Sequence, residues 1–147
     1  MTEIETRKHW MGLLAKAKPQ DVAALFEDVT LNPEFTYLRA PEVGGVMVQG
    51  RAGATGAPFN LGEMTVTRCS VQLAEGEVGH AYVQGRDKAH ATQAALIDAL
   101  MQTPEAERLR LAVLAPLEQS QVQARTARAS KAAATKVDFF TMVRGED

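Results

Sequence analysis

Residues 82–101, Y-V-Q-G-R-D-K-A-H-A-T-Q-A-A-L-I-D-A-L-M, constrain the fold more than any other stretch. An apolar strand stops at Gly85, and Asp87, a favoured N-cap, opens a helix predicted over Lys88–Met101. Arg86, Lys88 and His90 crowd this junction, where the first backbone N–H groups and the positive end of the helix dipole suit an anion. The plainer reading of the same residues is a capped junction with solvated charges. The tetrapeptide Val-Gln-Gly-Arg recurs at 48–51, which adds Arg51 to the candidate phosphate- or partner-binding residues. Neither G-x-x-x-x-G-K-[ST] nor G-x-G-x-x-G occurs here, so a standard nucleotide loop is not part of the expectation.

The rest of the chain reads as one α+β domain spanning 1–147. Ile4, Trp10, Met11, Leu13, Leu14 and Ala17 form an apolar stripe over 3–17. Pro19 then starts a second helix, with Val22, Leu25, Phe26 and Val29 on its buried face, so the opening is a helical hairpin. From Phe35 the pattern turns to strands. Segments near 35–38 and 43–51 are separated by Pro41 and Gly44-Gly45, residues 53–58 form a turn-rich loop, and 63–74 alternate cleanly. Thr65, Thr67, Cys69, Val71 and Leu73 share one face, and a Glu75-Gly76-Glu77 turn leads to a strand ending near Val83. An antiparallel sheet of about four strands is expected, then two C-terminal helices, with Pro116 restarting the chain.

The last thirty residues are unlike the rest. Residues 117–136 lack glycine and proline and after Val122 carry little beyond alanine to bury, while Arg125, Arg128 and Lys131 form a basic ridge. The extended tail that follows holds Phe139, Phe140 and Met142, too apolar for water, so 117–147 is expected to serve subunit contacts or exchange between copies. Arg125, Arg128, Phe139, Phe140 and Met142 are the candidate interface residues, and the isolated chain is expected to self-associate.

A net charge of −2 gives no broad electrostatic ground for nucleic-acid binding. One cysteine, Cys69, rules out an internal disulfide and fits a reducing, cytoplasmic setting; no apolar run reaches membrane-spanning length. His9, His80 and His90 lack metal-ligand spacing, so no metal site is expected, and no nucleophile–base set stands out.

Several blocks carry a family resemblance: T-R-K-H-W-M, R-A-G-A-T-G, G-E-M-T-V-T-R, Y-V-Q-G-R-D-K-A-H-A, A-L-I-D-A-L-M, L-A-P-L and V-D-F-F-T-M-V-R-G. In these the chain resembles the PhnG family, the G subunit of the bacterial carbon-phosphorus lyase core complex, over nearly its full length. The resemblance implies a small accessory subunit working with the H, I and J subunits and the L protein. It implies a step in which an alkylphosphonate displaces adenine from the ribose of MgATP, giving a ribose 1-phosphonate 5-triphosphate. MgATP is then a substrate of the complex, with no cofactor held by this chain alone. The alternative is a purely structural adaptor that touches no substrate. The resemblance carries no catalytic residue over to this chain.

Overall fold

A computed structural model of the chain describes residues 2–51, 56 and 58–145, with backbone alone for 51, 60 and 136–145. The chain divides into two units, 1–117 and 118–147.

In the first unit, α1 (Glu3–Lys16) begins with a capping box. The Glu5 N–H donates to Thr2 Oγ1 at 3.1 Å and the Thr2 N–H to Glu5 Oε2 at 3.0 Å, which satisfies two donors the helix leaves unpaired. α2 (Pro19–Val29) starts with proline in its first turn and ends where Thr30 takes a left-handed conformation. The two make the expected helical hairpin. They bury Leu13 and Leu14 from α1 and Val22, Phe26 and Val29 from α2.

The sheet is antiparallel, in the order β1 (Phe35–Arg51), β2 (Pro58–Leu73), β3 (Val78–Gln84). The two segments read separately at 35–38 and 43–51 are one long strand. Its irregular pairing with β2 between Tyr37 and Glu42 bends the ladder around Pro41 without breaking it. The loop read at 53–58 falls largely outside the described residues. In the 67–73 stretch of β2 the expected alternation holds, with Thr67, Cys69, Val71 and Leu73 buried; in β3 the buried residues are Gly79, Ala81 and Val83.

α3 (Lys88–Leu100) covers this buried face. Its Ala91, Ala94, Ala95 and Ala99 are small enough to bring its backbone down onto β3. The approach is closest at Gly79, where an added Cβ would lie 2.0 Å from the Ala95 carbonyl oxygen and 2.6 Å from the Ala99 nitrogen. Glycine is therefore required there by space rather than by backbone conformation. The opposite face of the sheet keeps His80, Tyr82 and Gln84 exposed.

After α3 the chain forms α4 (Ala106–Leu109), one π turn (Arg110–Leu114) and α5 (Ala115–Gly145) without interruption. Pro116 does not restart the helix as expected. Proline has no N–H and crowds the carbonyl four residues back, and the π turn immediately before it, with the Ala115 N–H reaching Arg110 O, accommodates this locally. Leu109, Val113, Leu114 and Leu117 close the core.

In the second unit, residues 118–135 are helical with almost every side chain exposed, including Arg125, Arg128 and Lys131. The tail is a correction. Residues 137–145 continue α5 instead of forming an extended segment, as fits a run that meets no glycine or proline before Gly145. The side chains of Phe139, Phe140 and Met142 lie outside the described residues.

Candidate functional site

The strand-to-helix junction is built as its sequence demands. Gly85 has φ 95°, a conformation that favours glycine, and this turns the chain out of β3. Its carbonyl accepts from Thr67 Oγ1 at 2.7 Å and its N–H donates to Thr65 O at 2.9 Å, so β2 holds the turn from both sides. Asp87 caps α3 by accepting the His90 N–H on Oδ1 at 2.9 Å. Arg86 and Lys88 are exposed, and neither has an ion-pair partner among the described residues.

The structure does not bring all four candidate cations together. His90 is only 1% exposed, and its Nε2 lies 2.8 Å from Leu14 O. A carbonyl can only accept, so Nε2 carries the hydrogen and donates it to the end of α1. Nδ1 is buried without a hydrogen-bond partner. His90 thus ties α3 to α1 from inside and is no part of a surface cluster. Arg51 ends β1 opposite Pro58, while the Gly85 turn is held at Thr65. From Thr65 to Pro58 along β2 is roughly 23 Å at the usual strand rise. The repeated tetrapeptide leaves its two arginines apart, Arg51 at one end of the β1–β2 ribbon and Arg86 beside the middle of β2, and only Arg86 and Lys88 remain at the junction.

A second constellation, unannounced in the sequence, lies at the other end of α3. Asp98 is fully buried. Its Oδ1 accepts from Arg7 Nε at 3.1 Å and Trp10 Nε1 at 2.7 Å, and its Oδ2 accepts from Arg7 Nη2 and the His80 backbone N–H, both at 2.8 Å. The hydrogen bond to Asp98 is the main reason the Arg7 guanidinium is pushed above its ordinary pKa, against the opposing effect of burial. Each carboxylate oxygen receives two donors, so Asp98 has no lone pair directed at a substrate. It clamps α1, β3 and α3 together. A carboxylate inside the apolar run A-L-I-D-A-L had to find partners, and that was the available signal. The identity of those partners is set by contacts some ninety residues apart in sequence.

On the exposed sheet face, Ser70 Oγ lies 2.8 Å from His80 Nδ1, and the Arg68 guanidinium carbon sits 5.4 Å from the centre of the Tyr82 ring. Cys69, on the buried face, is a small core residue as expected; burial raises its pKa, with a hydrogen bond to Thr92 opposing. Among the described residues no cluster of three or more His, Cys, Asp or Glu has metal-binding geometry, and no helix is long and apolar enough to cross a membrane.

The family model described as "Phosphonate metabolism protein PhnG" matches residues 5–145. The chain belongs to the PhnG family. A PhnG relative from Rhizobium meliloti (strain 1021), "Alpha-D-ribose 1-methylphosphonate 5-triphosphate synthase subunit PhnG", is 45% identical over 145 residues, which cover 98% of this chain and 92% of the relative. The match to the PhnG model takes in Arg7, Trp10 and Asp98 as well as the Gly85–Lys88 turn.

Proposed function

We propose that this chain is an accessory subunit of an alpha-D-ribose 1-methylphosphonate 5-triphosphate synthase, acting in phosphonate catabolism. Its partners are the H, I and J subunits of the carbon-phosphorus lyase core and the L protein. MgATP is the substrate of the complex, which works in the cytoplasm. In the proposed step an alkylphosphonate displaces adenine from the ribose of MgATP. The near-full-length identity to a relative bearing that synthase name carries the reading.

The physical chemistry of the fold supports an accessory role. The ionisable groups buried in its core are occupied with structure: Asp98 receives four donors and His90 Nε2 holds Leu14 O. What remains for partners or substrate is Arg86 and Lys88, exposed at the turn, and the exposed ridge of Arg125 and Arg128, with Arg51, Phe139, Phe140 and Met142 as further candidates from the sequence. Residues 117–147 contribute the subunit contacts, including contacts between copies of the isolated chain.

The test is a co-purified complex with and without residues 137–147, and with Arg86→Ala, scoring assembly and adenine release separately. Truncation is expected to abolish assembly, and Arg86→Ala to slow adenine release with assembly intact. A truncated chain that still assembles and a substituted one that releases adenine at the original rate would together remove both assignments.

A further inference from the structure

One face of the sheet packs under α3; on the other, Val66 is fully buried but Arg39, Glu42, His80 and Tyr82 are exposed, and this exposed part, the open face, is not chemically neutral. Antiparallel partners share a face, so the pairing places side chains in rows across the three strands. One row is Arg39, Ser70 and His80; the next is Glu42, Arg68 and Tyr82. Arg39, His80 and Tyr82 are exposed and Arg68 and Ser70 half-buried.

Two of these groups are already oriented. Ser70 Oγ and His80 Nδ1 are hydrogen-bonded at 2.8 Å, which fixes the imidazole and leaves its Nε2 edge free. Arg68 is supported over the Tyr82 ring at 5.4 Å, so its guanidinium loses less freedom on meeting an anion than a solvated arginine does. Arg39 and Arg68 have no ion-pair partner among the described residues, and Glu42 is the single carboxylate in the two rows.

We infer that the open face of the sheet, through Arg39, Arg68, Ser70 and His80, is a binding site for a triphosphate chain. Three observations select this ligand chemistry. The donors are two guanidiniums and the Ser70–His80 pair, whose mutual hydrogen bond leaves one N–H or O–H to give to a phosphate oxygen. The row from β1 to β3 spans about 9–10 Å, wider than one tetrahedral oxyanion and matched by a chain of phosphates. The name of the Rhizobium meliloti relative includes a 5-triphosphate product. The last point rests on the synthase reading; the geometry does not. The exposed Lys8 and Lys16 of α1, outside both the sheet face and the Gly85–Lys88 turn, serve as controls.

Isothermal titration of the full-length chain with sodium tripolyphosphate tests it. Saturable binding is expected that weakens with added salt, falls at least tenfold in Arg68→Gln and in Arg39→Gln, and falls several-fold in His80→Asn. Glu42→Gln is expected to tighten binding a few-fold by removing the opposing charge. Lys8→Gln and Lys16→Gln, at exposed positions of α1, are expected to change it less than twofold, and methylphosphonate alone to bind at least tenfold more weakly. Far-UV circular dichroism and Trp10 fluorescence confirm that each variant is folded. No saturable binding, binding indifferent to Arg68 and Arg39, or binding lost equally with Lys8 or Lys16 would each overturn the inference. Failed complex assembly in Arg68→Gln without tripolyphosphate binding by the native chain would do the same, assigning the face to an acidic protein surface. Adenine release by the assembled complex separates the two proposals: if tripolyphosphate binding depends on Arg68 but release does not, the site stands and its link to the synthase step fails.

Discussion

Replacing Asp98 by asparagine tests whether the clamp at the base of α3 holds the first unit together. The substitution keeps the shape and removes the charge. If the amide oxygen takes the place of Oδ1, Arg7 Nε and Trp10 Nε1 keep their acceptor, while the amide NH2 faces Arg7 Nη2 and the His80 N–H. If it takes the place of Oδ2, the losses exchange, and Arg7 Nε and Trp10 Nε1 face the NH2. In either orientation two donors meet a donor. Hydrogen bonds to charged groups contribute about 1.5–3 kcal/mol each. Arg7 recovers part of its loss, because its side chain is 36% exposed and water reaches it. The expected destabilisation is therefore about 3–5 kcal/mol, the range for breaking a buried pair from one side. The assay is urea unfolding of the full-length chain followed by Trp10, its single tryptophan, which sits in the clamp and reports on this unit. At a typical slope near 2 kcal/mol per molar the midpoint should fall by about 2 M. A loss below about 1 kcal/mol would refute the reasoning. So would additive effects of Arg7→Ala and Asp98→Ala in a double-mutant cycle, since groups in direct contact must couple.

Three further outcomes follow from the same packing. Gly79→Ala should cost about 1–3 kcal/mol or more in urea unfolding, because the added carbon meets the α3 backbone at Ala95 and Ala99, which cannot move aside like a side chain; an unchanged midpoint would show that α3 lifts freely. Asp87→Ala should cost about 1 kcal/mol through loss of the N-cap bond to the His90 N–H, with Asp87→Asn nearly neutral, as read by thermal unfolding. Cys69, buried with its pKa raised, should react with thiol reagents near pH 8 far more slowly in the native chain than in urea. Because the folded value lies above the unfolded one, the stability tied to the neutral thiol is present below the unfolded pKa and declines as pH rises through the folded one, a trend that Cys69→Ala should abolish.

Much of this architecture follows from local pattern. The starts of α2 and α3 were legible because prolines and caps act on the nearest turn, Pro19 and Asp87 after a glycine that must turn the chain, while α1 was legible from its apolar stripe and its Thr2–Glu5 capping box came only from the structure. The alternation of β2 was legible because successive side chains point to opposite faces, though the structure decided which face is buried, and the family blocks identified the chain's relatives. Less of the candidate site was legible. The same residue pattern that announced a cation cluster is silent on which members point inward, so His90 read as a neighbour of Lys88 when its ring reaches Leu14. The single helix through 145 follows from composition, but Phe139 and Phe140 invited an extended reading because apolar residues alone do not specify backbone state.

Sequence by itself determined α1, α2, β2, β3 and α3 in their order, the capped turn at Gly85 and the family, but not the continuity of β1 or of α5. Tertiary structure alone decided that His90 is internal, that Arg51 and Arg86 lie apart, that Asp98 meets Arg7 and Trp10, and that Arg39, Ser70 and His80 form one row. The physical reason is range. Caps and alternation are set by neighbours within a few residues, whereas the partner of a buried charge and the register of a bulged strand are set by what the rest of the chain brings alongside.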